Sequence, residues 1–382
     1  MTTILYIHQS SELYGSDKTL LYLVTRLDKT EYNPIVVLPG EGPLKDALLN
    51  QNIKVIITPV IKLHRNMFTI KYLTSLPLQI RASIDCIRKE SGGVPIDIIQ
   101  SNTLAVLLGV FLSRKLKARH IWHVHEIITH PKLISNLYPK ILNRFADKVV
   151  CNSNATLENL LHRNLRLKNK LRLIHNGLDA AGFNKSSAGN LREELHYTPQ
   201  DIVITLIGRI SRLKGHLLLL KVFNDFFKAS GNVKLLFTGS PVPGQEHYLE
   251  EVENKIQDYG LTSKVTIIPF QSDLSQIWQI TDIAVMPSTE AESFGLVALE
   301  AMFSKKPVIA TDLGGLREIV IHNETGFLFE NKNETQLKEA LHRLISDSAL
   351  RDSFGKKGYE RAVSEFSLDK YMDAFDRLYK EV

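Results

Sequence analysis

The run Asp282-Ile-Ala-Val-Met-Pro287-Ser288, and after it Glu292-Ser293-Phe294-Gly295-Leu296-Val297-Ala298-Leu299-Glu300-Ala-Met-Phe, decides how this chain is built. Its first part is apolar without polar alternation, the mark of a strand covered on both faces. Pro287 and Ser288 end that strand in a loop. The residues from Leu296 onward are mostly good helix formers. Strand, loop and helix in that order make one βα unit. Two carboxylates, Glu292 and Glu300, flank the loop-to-helix junction, their backbones roughly 10–12 Å apart at the rise of a helix. Between them the free N–H groups around Phe294, Gly295 and Leu296 can face an anion. A surface helix with two solvated glutamates is the competing reading of the stretch.

The same pattern extends in both directions. Short apolar runs at 4–8, 35–38, 55–58, 96–100, 120–123, 148–151 and 171–175 alternate with segments of helical spacing, and so do runs at 202–208, 234–239, 265–270, 283–287, 307–311 and 326–329. Strands alternating with helices predict an α/β chain of two doubly wound, Rossmann-like parallel sheets. The pattern breaks at Asn176-Gly177 and across 180–190, rich in Ala, Gly, Ser and Asn. We therefore expect a first domain over 1–180, a second over 181–360 and a terminal helix over 361–382. Leu368, Tyr371, Met372, Phe375, Leu378 and Tyr379 give that helix an apolar stripe, expected to pack on the first domain.

Composition narrows the function classes. At 382 residues, 44% hydrophobic and 23% charged, the chain suits a two-domain globular protein. The N-terminus runs into a strand without a basic leader, and the longest apolar run, 103–112, is about half a membrane span, so neither signal peptide nor spanning helix is expected. Two distant cysteines, Cys86 and Cys151, imply no disulfide framework and fit a reducing cytoplasm. Between Ser101 and His175 stand 13 Lys and Arg against three acids, so this stretch is +10 in a chain of +6. Such asymmetry suits an anionic partner: a membrane surface, a phosphate-bearing lipid or nucleic acid, although no nucleic-acid motif accompanies it. A basic surface kept for solubility is the alternative.

Ligands of such sheets bind beyond the carboxyl ends of the strands, so the loops there matter most. The loop after 4–8 carries Tyr14-Gly15-Ser16-Asp17, where Gly15 lets a phosphate approach the backbone and Ser16 or Asp17 can cap a helix running over 19–27. The strand ending at His123 delivers His123-Val124-His125-Glu126, with both histidines on one face. They read as a metal site lacking a third ligand, as structural histidines, or as one imidazole, His125, facing a substrate oxygen and oriented by Glu126. The run 202–208 ends in Gly208-Arg209 and continues to Lys214-Gly215 and a helix from His216. Arg209, Lys214 and that helix N-terminus can neutralise a diphosphate through charge-assisted hydrogen bonds. Gly239-Ser240 and Pro269-Phe270 can line a base or ribose pocket. The loop 311–315 would close another side, or simply make a glycine turn.

Gly208-Arg209 with Lys214-Gly215, then Glu292-x7-Glu300, resembles the large family of retaining, nucleotide-sugar-dependent group 1 glycosyltransferases with the GT-B fold. Tyr14-Gly15-Ser16, His123-Val-His-Glu, Asn152-Ser153, Ile174-His-Asn176-Gly177 and Asp312-Leu-Gly-Gly-Leu-Arg-Glu318 add likenesses in the same order. The resemblance implies two Rossmann-like domains facing across a cleft, with the C-terminal helix crossing back to the first. It implies a nucleoside-diphosphate-sugar donor, with Gly208, Arg209 and Lys214 holding the diphosphate and Gly15 and Ser16 on the donor side. Glu300 would take the ribose, Glu292 the transferred sugar, and the Phe294–Leu296 backbone its hydroxyls and phosphate; Phe270, from the residue reading, counts as donor-binding. His125 would lie near sugar and acceptor. A Gly-Gly pair, common in the family's first glycine loop, is here Tyr14-Gly15. No metal and no cofactor are expected, since Asp-x-Asp is absent and Glu290-Ala-Glu292 is the nearest imitation. The acceptor expected is a lipid-linked saccharide of surface polysaccharide synthesis, with peripheral contact to anionic membrane. A small soluble acceptor or a non-catalytic nucleotide-sugar-binding subunit is the alternative.

Overall fold

A computed structural model describes residues 1–62, 69–183 and 190–382; residues 184–189, inside the expected seam, lie outside the described residues. The chain divides into a first unit, Met1–Gly177 with Leu368–Val382, and a second, Leu178–Ser367. Both are runs of strands alternating with helices, and every strand pair is parallel.

In the first unit the order is β1 (Thr2–Ile7), α1 (Gly15–Arg26), β2 (Tyr32–Leu38), α2 (Pro43–Leu49), β3 (Lys54–Ile57), α3 (Ile70–Glu90), β4 (Ile98–Asn102), α4 (Leu108–Leu116), β5 (Arg119–Val124), α5 (Lys132–Phe145), β6 (Lys148–Cys151), α6 (Asn154–Arg163) and β7 (Leu171–Leu173). Among the described residues these strands form a seven-stranded sheet, ordered 3-2-1-4-5-6-7. The second unit continues with α7 (Leu191–Glu194), β8 (Ile202–Ile207), α8 (His216–Phe227), β9 (Val233–Thr238), α9 (His247–Asp258), β10 (Val265–Ile268), α10 (Ser275–Ile280), β11 (Ile283–Met286), α11 (Leu296–Phe303), β12 (Val308–Thr311), α12 (Leu316–Ile319), β13 (Gly326–Phe329), α13 (Glu334–Ser346) and α14 (Ser348–Glu365). Among the described residues its sheet is six-stranded, ordered 10-9-8-11-12-13. The two doubly wound sheets that the apolar runs predicted are both present. Strands such as β1 and β8 are buried almost along their length because helices cover both faces.

α15 (Leu368–Glu381) closes the chain and belongs to the first unit. Its stripe of Leu368, Tyr371, Phe375, Leu378 and Tyr379 joins the core formed by Ile4, Tyr6, Leu20, Leu23 and Val36. Inside that core the Tyr379 hydroxyl donates to Gln100 Oε1 at 2.7 Å and meets the Tyr6 hydroxyl at 2.9 Å. The passage out of the second unit falls after Ser367, seven residues later than the sequence pattern placed it. The reason is local. Arg361, late in α14, bonds the carbonyls of Glu318 and Ile319 at 2.7 and 3.0 Å, and Phe366 stacks edge-on against Phe294, so this helix stays with the second sheet.

Sheet order fixes where chemistry belongs. Each sheet reverses its winding at one place, between β1 and β4 in the first unit and between β8 and β11 in the second. Loops leaving the carboxyl ends of those strands diverge and leave a crevice for a ligand.

Candidate active site

In the second unit the two candidate stretches leave neighbouring strands at the switch point. The loop after β8 carries Gly208, Arg209, Lys214 and Gly215; the loop after β11 carries Pro287 to Gly295. Thr289 ties them, its N–H donating to Leu213 O at 2.8 Å and its hydroxyl to Arg212 O at 3.1 Å. Three glycines make the approach feasible. Gly215, at φ +77°, caps α8 where a Cβ would run into the Pro287 carbonyl, and Gly239, at φ +152°, faces the Gly208 carbonyl just as closely. Gly208 leaves room for the Lys214 stem, which would be in van der Waals contact with any Cβ there.

Guided over Gly208, the Lys214 ammonium reaches Glu292 Oε1 at 2.8 Å, and the Ser288 hydroxyl donates to the same oxygen. Burial alone would push the Glu292 carboxyl up. The Lys214 charge, its hydrogen bond and the Ser288 bond outweigh burial and hold it below its ordinary range. Glu292 is therefore a carboxylate at neutral pH, aimed at the lysine. Arg209 follows Gly208 with an exposed side chain. The outer Arg212–Glu290 pair, 2.6 Å long and exposed on both sides, contributes little.

Glu300 is only 6% exposed, so the solvated-glutamate reading of the opening stretch does not hold. α11 starts at Leu296, with Gly295 at φ +108° as its cap, and Phe294 points its ring into the core, leaving only its backbone toward the loop. The loop 311–315 does more than turn. Gly315 donates to Glu292 O at 2.8 Å, and a Cβ on Gly314 or Gly315 would strike the backbone of 292–294, so both glycines serve close approach. On the far side Phe270, 39% exposed, is linked to the β9 end through its N–H to Ser240 Oγ at 3.0 Å.

The first unit holds a histidine cluster at its own switch point. α1 begins at Gly15, four residues earlier than expected, so Gly15 and Ser16 lie in its first turn rather than in a loop before it. Asp17 caps the helix as expected, and from within the fold. Its Oδ1 meets His8 Nε2 at 2.6 Å in full burial and its Oδ2 accepts the Tyr14 N–H at 2.8 Å. At the end of β5 the His123 and His125 rings lie 4.0 Å apart between centroids, tilted by 46°. Burial, then the nearby His8, pushes His125 down to about 3, so it is a neutral imidazole able to donate through one nitrogen and accept through the other. Glu126 bonds the backbone beside that ring and not the ring itself. Its Oε2 accepts the backbone N–H of His125 at 3.1 Å and of Leu104 at 2.9 Å. Among the described residues no group of three His, Cys, Asp or Glu is arranged to hold a metal ion, and no helix is long and apolar enough to cross a membrane.

Sequence reasoning missed the His8–Asp17 pair and the roles of Ser288 and Gly239. Gly239 had a readable signal, since it ends its strand as Gly208 does. The buried pair had none, because nine residues separate its members.

The profile of the Glycosyl transferases group 1 family matches residues 189–361, and that of Glycosyltransferase Family 4 matches 14–181. The chain belongs to the group 1 glycosyltransferases. As a member of that family it is similar to an uncharacterised glycosyltransferase of Methanocaldococcus jannaschii, 29% identical over 72% of each chain. It is likewise similar to the capsular polysaccharide biosynthesis glycosyltransferase CapM of Staphylococcus aureus, 29% identical over 64% of each, so just under two thirds of that relative is matched. Among solved structures, HepE of Anabaena in complex with UDP and glucose superposes over the full length of both chains, with a TM-score of 0.87 and 23% identity. This likeness shows the GT-B fold.

Proposed function

We propose that this glycosyltransferase moves a sugar, with retention, from a nucleoside-diphosphate-sugar to an acceptor hydroxyl. The observation that carries it is the convergence of Lys214, Glu292 and the α8 N-terminus at the β8/β11 switch point. In this reading the donor diphosphate lies between Arg209, Lys214 and that helix end, over Gly208. Glu292 and the 294–296 backbone take the transferred sugar, Glu300 the ribose, and Phe270 the base side. The costly event is charge appearing on the leaving phosphate, which two cations and a helix dipole stabilise in place. The departing phosphate can take the acceptor proton on the same face, so no covalent sugar–enzyme bond, metal or cofactor is required. The neutral His125 can hold an acceptor or sugar hydroxyl by either ring nitrogen.

For the acceptor we infer a lipid-linked saccharide, from the +10 stretch of the first unit and from the likeness to CapM, at the cytoplasmic face of a membrane. Thermal-shift screening against UDP-, GDP-, ADP- and TDP-sugars tests the donor, since a ligand at 100 times its Kd adds about 2.7 kcal/mol. Lys214→Ala should lower turnover of the selected donor by about 10²–10³-fold. The pair is largely buried, so removing the lysine also costs stability, and circular dichroism taken well below the melting temperature should show the variant still folded while it is assayed. Wild-type turnover in this variant would remove the diphosphate assignment. Salt-insensitive failure to pellet with anionic vesicles would remove the membrane.

A further inference from the structure

The turn after β4 is held in a shape that its sequence disfavours. Thr103 has φ +77°, a left-handed conformation that costs a β-branched residue about 1–3 kcal/mol and persists only when its surroundings impose it. The imposing bonds come from the end of β5 and the loop that follows. Thr103 N–H donates to His123 O at 2.8 Å, and the buried Trp122 indole donates to Thr103 O at 2.8 Å. The next amide, Leu104 N–H, donates to Glu126 Oε2, which also accepts the His125 N–H. One carboxylate oxygen thus joins the backbone of the loops after β4 and β5, at the residue that carries the imidazole. Asn102, just before the turn, is buried and bonded by Gln100 Nε2 at 3.0 Å, so the strand end behind it is fixed as well.

We propose that Glu126 is a positioning residue for the transfer reaction: its carboxylate pins the strained Thr103–Leu104 turn to the His125 backbone and so sets where the His125 ring stands. A dedicated carboxylate is not needed to complete a strand here, since β4 and β5 already pair in register up to Asn102 and His123. What Glu126 adds lies beyond the paired strands, where no ladder bond reaches. A half-buried carboxylate that bonds two amides, with no charged partner among the described residues, is costly to keep, and its placement beside His125 gives that cost a use. The role rests on the transferase reading above; the pinning itself does not.

The test uses the full chain with Glu126→Ala and Glu126→Gln. Glutamine offers one carbonyl oxygen to the two amides that share Oε2 now, so it should restore much of what alanine loses. Hydrogen exchange of peptides covering 100–107 and 122–128 should rise by tenfold or more in E126A and far less in E126Q. Trp122 emission, read in a Trp278→Phe background, should shift in E126A and recover in E126Q. With UDP-glucose, or whichever donor the screen selects, turnover in E126A should fall by about 10- to 100-fold with the donor KM nearly constant, and E126Q should recover most of it. If E126A does not fold, Glu126→Asp takes its place, since it keeps the charge but withdraws the oxygen from both amides. Unchanged exchange in these peptides would overturn the pinning. Raised exchange with wild-type turnover would overturn the positioning role. A wild-type protein that turns over no donor would instead remove the transferase reading, with the exchange result still deciding the pin.

Discussion

Glu126 also has a pH signature of its own. Burial, opposed by the bonds from Leu104 and His125, pushes its carboxyl up from an ordinary 4.5 to about 7. The titratable group that feels it is Tyr138 of α5, whose hydroxyl is pushed up by burial and then by the Glu126 charge. Between about 4.5 and 7 the folded chain therefore binds more protons than the unfolded one, and stability must fall as pH rises across that window. Glu126→Gln has no such titration. Urea midpoints taken from pH 5 to pH 8 should show the variant gaining on the wild type toward pH 8; parallel curves would refute the assignment. None of this was legible in the sequence. A carboxylate that bonds backbone amides leaves no partner side chain to recognise, whereas Lys214 and Glu292 could be paired because both carry charge and both follow strands. The sequence read Asp17 only as a helix cap, since nothing in Tyr14-Gly15-Ser16-Asp17 shows that His8 waits beneath it.

At the scale of elements, β8, α8 and the β11 loop owe their closeness to Gly215. Its φ of +77° and the Pro287 carbonyl where a Cβ would stand leave no side chain an unstrained place. Gly215→Ala should cost roughly 1–3 kcal/mol and weaken donor binding, because moving α8 outward takes its N-terminus and Lys214 with it. Gly231→Ala, with open space around it, should lie within about 0.5 kcal/mol of the wild type. Equal urea midpoints for the two variants would show that α8 does not need the close approach. Elements were the best-read scale of the sequence because parallel strands are apolar throughout, so β6 and β13 were bounded as observed and the rest within a few residues. Ends were less legible: α1 starts at Gly15 because Asp17 bonds back to the Tyr14 amide, a choice made by packing around His8.

At the scale of the whole chain, the first unit is completed by a helix that follows the second unit in sequence. The five buried side chains of α15 are worth roughly 7–15 kcal/mol together, as much as an ordinary domain's entire stability. A chain ending at Ser367 should therefore keep a protease-resistant core over 178–367 and lose the first unit's resistance. Survival of both cores would mean that α15 is dispensable. The apolar stripe made this docking readable in advance. The Tyr6–Tyr379–Gln100 bonding beneath it was not, because its members are scattered over the whole sequence.

The place of α15 also sets an order of events during synthesis. A ribosome makes all seven strands of the first sheet before the second begins, yet the core on one face of that sheet stays open until the last helix emerges. The second unit, continuous in sequence, can fold while its predecessor still waits. The part of the chain made first is thus the last to be finished, and a nascent chain stalled in the second unit would present the bare apolar face around Tyr6 to whatever chaperone is at hand.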